Sequence, residues 1–247
     1  MVKTKKRRLY LVPAILLLGG VVFGSGKPKS QAKKQAISAS SQKNPDKNAL
    51  LYDSLKLFNL GLTKEAFNQA ITGYASLSAA GKIQKENVLT IIDFSLPSNK
   101  KRLFVLDLVS GRLLFNTFVS HGRNSGAKLA TQFSNAFNSL KSSLGFYTTG
   151  ETYSGKHGSS LRLEGQEAGI NDNAYSRGIV IHSANYVNEL LAKTTGTIGR
   201  SLGCPAIPES LRKPIIETIR NGSCLFVYSP NKFYSLHSKL LNLNANS

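Results

Sequence analysis

The chain has 247 residues, with 32 Lys and Arg against 13 Asp and Glu, a formal net charge of +19. At 41% hydrophobic and 18% charged residues it can build a core, which excludes a wholly disordered chain and fits one sizeable domain with appendages. Two cysteines exclude a disulfide-dense scaffold, and the four histidines show no pair at metal-ligand spacing, so neither a metal nor another cofactor is expected.

In chain order, Lys3, Lys5, Lys6, Arg7 and Arg8 precede an apolar run over 9–23, closed by Gly24, Ser25 and Gly26. A basic start, a short apolar core and a small-residue exit read as a secretory signal peptide over 1–26, which places the protein in the periplasm or cell envelope. Spanning hydrocarbon takes ~20 apolar residues, and this run is shorter and contains Pro13, so a signal anchor is the weaker alternative. Removing 1–26 takes away five basic groups and no acid, from +19 to +14. Residues 27–47 are Lys, Gln, Ser and Ala with six lysines and one acid, too polar to offset chain entropy, and read as a basic flexible linker. The remaining +9 falls on 48–247. No aromatic-basic RNA signature accompanies that charge, so no nucleic-acid partner is expected; anionic envelope polymers or membrane surfaces are the counterparts, and solubility alone is the plainer reading.

Beyond Asn48 the pattern is helical and then β-rich, an α+β chain. A short helix over 49–58 is followed by a second in which Thr63 is the N-cap and Ala66, Phe67, Ala70, Ile71, Tyr74 and Leu77 form one apolar face. These make a helical lead-in over 48–86. Strand patterns follow over 88–94, 102–108, 112–119, 145–149, 161–163, 179–182 and 223–228, with Ser110-Gly111 as a hairpin turn. A late helix over 209–220 ends before Gly222. The main domain is set at 87–232 and a polar tail at 233–247. Between His121 and Arg177 the chain is rich in Gly, Ser and Asn, either slack loop or the wall of a binding site.

The chemistry lies in the C-terminal third. His182 ends an apolar strand, and 22 residues later Cys204 sits in the loop Gly199-Arg200-Ser201-Leu202-Gly203-Cys204-Pro205. A thiol beside imidazole becomes a strong nucleophile with a depressed pKa, and Gly203 permits the tight turn that points backbone N–H groups at a carbonyl oxygen. On residue types alone the pair is weak evidence, since most such Cys and His residues are core residues.

This segment resembles the active-site signature of the murein L,D-transpeptidase (YkuD-like) family, in which a strand-end His precedes a Ser-x-Gly-Cys loop. The resemblance extends through Thr63-Lys64-Glu65-Ala66-Phe67, Ser120-His121-Gly122-Arg123, Ser143-Leu144-Gly145-Phe146-Tyr147 and Leu161-Arg162-Leu163-Glu164-Gly165, over roughly 60–232. It implies an L,D-transpeptidase-like β-sandwich or mixed sheet with a short N-terminal helical segment. It also implies a cysteine enzyme that takes peptidoglycan stem peptides as partners. Cys204 attacks the L-centre carbonyl of a tetrapeptide stem's third residue, D-alanine leaves, and the acyl group passes to an amine on a second stem or a protein. The alternatives are water as acceptor, an L,D-carboxypeptidase, or a catalytically idle peptidoglycan-binding protein. By the same resemblance His182 is the general base, the Ser183 carbonyl orients its imidazole, and the Gly203 and Cys204 amides receive the oxyanion. Many relatives have Arg two residues after the Cys; here Pro205-Ala206 follows, and Arg162 or Arg200 is the replacement. Tyr147, His121 and His157 complete the substrate-binding candidates, the two histidines being equally readable as loop hydrogen-bond partners. His237 reads as solvated.

Cys224 poses an objection, since two cysteines in an oxidising compartment can pair. The competing reading packs Cys224 as a small apolar thiol inside its strand. The stretch from Gly150 to His157 imitates a phosphate-binding loop, but His157 replaces the Mg²⁺-binding hydroxyl residue.

Overall fold

The computed structural model describes residues 47–155 and 158–242. The leader, nearly all of the basic linker, and His157 lie outside the described residues. Eight strands form a mixed sheet: β1 (Val88–Asp93), β2 (Leu103–Asp107), β3 (Arg112–Thr117), β4 (Gly145–Gly155), β5 (Gly158–Gly165), β6 (Val180–Ser183), β7 (Ala206–Ile207) and β8 (Cys224–Tyr228). Their spatial order is β3-β2-β1-β8-β4-β5-β6-β7. The last strand is thus the middle of the sheet, parallel to β1 and antiparallel to β4, and it joins the N-terminal meander to the strands that carry the site. Every residue of β1 and β8 is buried, as expected of strands covered on both faces.

Helix α1 (Lys47–Ser54) is followed by a 3₁₀ turn and by α2 (Lys64–Ala79). The Thr63 hydroxyl accepts from the Ala66 N–H at 3.2 Å, the capping bond read from the sequence. Asp93 at the end of β1 accepts from the Thr63 N–H and hydroxyl at 3.3 and 3.2 Å, which ties the start of α2 to the sheet. Ala66, Phe67, Ala70 and Leu77 belong to the same core as β1 and β8, so the lead-in packs into the domain instead of standing before it. Contact there is close: a Cβ on Gly73 of α2 would lie 2.0 Å from the Phe146 ring, itself stacked on Phe226 at 4.2 Å.

The late helix is α4 (Arg212–Ile219), preceded by a 3₁₀ turn, and it buries Ile215, Ile216 and Ile219. Two short helices escape the sequence pattern, α3 (Glu189–Thr194) and α5 (Lys232–His237). All but the first residue of the second fall in the stretch read as polar tail, yet it buries Tyr234, and the Tyr234 and Ser238 hydroxyls both donate to the buried carboxylate of Glu167. His237 is exposed, as expected. Cys224 is buried within β8 and free, so the apolar-packing reading describes it and the bridge to Cys204 does not. Among the described residues no helix is long and apolar enough to cross a membrane, and no group of His, Cys, Asp and Glu is placed to hold a metal.

Candidate active site

Strand β6 delivers His182. Its partner β7 runs parallel, with His182 opposite Ala206 and Ser183 opposite Ile207, so Cys204 lies two residues before the histidine's cross-strand neighbour. That register is how a separation of 22 residues closes in space. His182 Nδ1 is 3.0 Å from the Ser183 carbonyl oxygen. A carbonyl only accepts, so Nδ1 carries a proton and, in the neutral tautomer this selects, Nε2 holds the lone pair.

The loop before β7 is held by hydroxyls. Gly203 has φ +130°, a conformation that favours glycine, and a Cβ there would meet the Lys141 carbonyl at 3.0 Å. The Gly203 N–H donates to Ser201 Oγ at 3.1 Å, and Ser201 Oγ donates to the Cys204 carbonyl. The Gly203 amide named as an oxyanion donor is therefore spent inside the loop. Ser142 Oγ donates to the Gly203 carbonyl at 3.0 Å and accepts from the Gly122 N–H at 3.0 Å, which clamps three loops together.

Cys204 and His182 both line a cavity of about 620 Å³, whose wall also carries Arg123, Tyr153, Arg177, Tyr186 and Arg200. The cysteine is half-buried, and its thiol donates to the Gly178 carbonyl at 3.6 Å. The thiol is not depressed as the sequence reading expects. Burial pushes it above the ordinary range and outweighs the Val180 amide, the Arg177 charge and the Cys204 amide, all of which pull it down. A thiol raised in this way is a weak nucleophile until a base takes its proton.

The other candidates separate. Arg200 lines the cavity, with Nη1 donating to the Arg123 and Gly126 carbonyls at 3.3 and 3.2 Å. Arg162 does not line it. Its guanidinium packs between the rings of Tyr153 and Tyr175, at 4.7 and 5.1 Å, and its 3.8 Å approach to Glu151 is too long for a hydrogen bond. Tyr147 is buried beneath the nucleophile loop and donates to the Ser143 carbonyl at 3.0 Å, a packing role in place of substrate contact. His121 is fully buried. Arg102 Nη2 donates to its Nδ1 at 2.7 Å, which leaves Nε2–H to donate to the Gly126 carbonyl at 3.2 Å. Of its two readings, loop hydrogen bonding is the one this geometry fits.

Sequence reasoning missed Arg123, Arg177 and Tyr186. Arg177 precedes the strand holding His182 and is one basic residue among many; nothing in its neighbours signals that it folds back towards Cys204.

The site thus brings a thiol and an oriented imidazole to one basic cavity. The L,D-transpeptidase catalytic domain family matches residues 59–228, well over half of the chain, and the chain belongs to that family. Solved structures with a similar fold include an L,D-transpeptidase from Mycobacterium smegmatis, with 14% identity, a TM-score of 0.37, and coverage of 58% of this chain and 59% of that one. L,D-transpeptidase 3 from Mycobacterium tuberculosis gives 13% identity, a TM-score of 0.37, and coverage of 58% and 61%. The helical cell shape determining protein Pgp2 from Campylobacter jejuni gives 14% identity, a TM-score of 0.39, and coverage of 63% and 54%. The chain thus spans less than two thirds of the length of each of these. Comparison with curated proteins gives no match.

Proposed function

We propose that the protein is an exported L,D-transpeptidase that remodels peptidoglycan through a Cys204 acyl-enzyme. The observation that carries this reading is the pairing of a half-buried thiol with an imidazole oriented by a backbone carbonyl, both opening on one basic cavity. His182 Nε2 takes the thiol proton as Sγ attacks the stem carbonyl carbon. The tetrahedral intermediate collapses with cleavage of the C–N bond, and the proton goes from His182 to the departing D-alanine amine. An acceptor amine then attacks the thioester, His182 takes its proton, and the thiol is restored. With the Gly203 amide engaged in the loop, the Cys204 amide is the donor left for the oxyanion in this reading, while Arg123, Arg177 and Arg200 give the cavity a charge suited to a carboxylate-bearing stem. Export rests on the basic leader and its short apolar run.

The test uses the full chain with tetrapeptide muropeptides and follows D-alanine release. Cys204→Ala is expected to abolish release, and His182→Ala to slow it ~10²–10⁴-fold, the worth of general-base assistance. Cross-linked products support transfer to an amine, whereas tripeptide monomers alone move the assignment to the L,D-carboxypeptidase. Release that survives Cys204→Ala contradicts the nucleophile.

A further inference from the structure

We infer that Arg177 is a positioning residue for the nucleophile: its guanidinium clasps the 134–143 segment against the Gly203-Cys204 loop and holds a fixed positive charge in the wall of the cavity that Cys204 lines. The inference rests on Cys204 as nucleophile for its consequence, but its observations are separate. Nη1 donates to the Ser134 carbonyl at 2.8 Å and to Ser143 Oγ at 2.6 Å. Nη2 donates to the Lys141 carbonyl at 2.8 Å and to Ser139 Oγ at 3.2 Å. One planar fork thus gathers four acceptors from ten residues of otherwise irregular chain; a Lys ammonium here would keep the charge and, with three donors, part of that set.

The same atoms border the nucleophile loop. Nη2 lies 3.6 Å, and the Lys141 carbonyl 3.0 Å, from where a Gly203 Cβ would stand. The residue after Arg177 supplies the carbonyl that takes the Cys204 thiol hydrogen. Among the described residues no carboxylate forms an ion pair with Arg177, so its charge is not neutralised locally. All four partners are neutral oxygens, and the anionic forms that its charge favours are those of Tyr147, buried outside the cavity lining, and of Cys204 within it. The titratable groups facing that sulfur around the cavity are Arg177, His182, Tyr186, Tyr153, Arg123 and Arg200.

The test is carbamidomethylation of the full chain by iodoacetamide between pH 6 and 10, read by mass on the Cys204 peptide. It needs no transpeptidase substrate, so its failure is distinct from failure of the proposed activity. Buried Cys224 is the internal control and stays unmodified while the protein is folded. Arg177→Gln is expected to slow alkylation at pH 7 roughly tenfold, the effect of removing an adjacent opposite charge, and to move the pH profile upward. Arg177→Lys keeps the charge and is expected to stay within about threefold of the native rate. A native rate and profile in Arg177→Gln overturns the inference, as does an Arg177→Lys rate as low as that of Arg177→Gln. If Arg177→Gln does not fold, Arg177→Lys decides alone: a rate near native supports the charge role, and a roughly tenfold fall overturns it.

Discussion

Two histidines on neighbouring segments of the site carry opposite tasks, and burial with partners separates them. His182 lies in the cavity wall with Nδ1 on the Ser183 carbonyl. His121 has both nitrogens engaged, and desolvation together with the Arg102 charge lowers it from 6.5 to about 4. Its folded-state value is depressed, so its contribution to stability is complete above pH 6.5 and is lost as pH falls towards 4. The size of that contribution is of order 3 kcal/mol. Thermal melts of the native protein and His121→Gln between pH 4 and 7 check this: the native melting temperature falls on acidification, and the variant shows a flatter dependence. Ser183 meets His182 through its backbone carbonyl, so Ser183→Ala is expected to keep D-alanine release within a few-fold of native. A hundredfold loss would show that the hydroxyl takes part.

At the scale of elements, the close approach of α2 to β4 sets a limit on substitution. Gly73→Ala improves helix propensity by up to about 1 kcal/mol. The new methyl, however, meets the Phe146 ring at 2.0 Å, and that ring is fixed against Phe226. Overpacking costs about 1–3 kcal/mol. A lowered denaturation midpoint is therefore expected, and chemical denaturation measures it. The elements legible in the sequence are those in which burial writes a pattern: β1, β2, β8, the apolar face of α2 and its Thr63 cap. The second half of β4 was not legible. Residues 150–155 are polar and partly exposed, and they pair through backbone bonds across an irregular register between Thr149 and Thr152. Strand β7 is two residues long and has no period to read. Helix α5 hides its one anchor, Tyr234, among exposed residues. At the site, the residues alone left the pair of Cys204 and His182 open, and the resemblance singled them out together with Ser183; the structure brings Cys204 and His182 to one cavity. Arg177 was not legible, because its bonds to 134–143 are long-range and to backbone and serine oxygens that no pattern marks.

Across the whole molecule, the insertion of β8 between β1 and β4 makes the site depend on both ends of the chain. The N-terminal meander anchors β8, β8 anchors β4, and through β5 that support reaches the β6–β7 pair bearing His182 and the Cys204 loop. The central claim is that this frame presents one thiol, Cys204, as the nucleophile, and acyl-enzyme mapping tests it most directly. Full chain is mixed with a tetrapeptide stem, quenched in acid within one turnover, digested, and weighed peptide by peptide. The account predicts a tripeptide-acyl mass on the Cys204 peptide, none on the Cys224 peptide, and none anywhere in Cys204→Ala. D-alanine release without a Cys204 adduct, or an acyl mass on another residue, would contradict it.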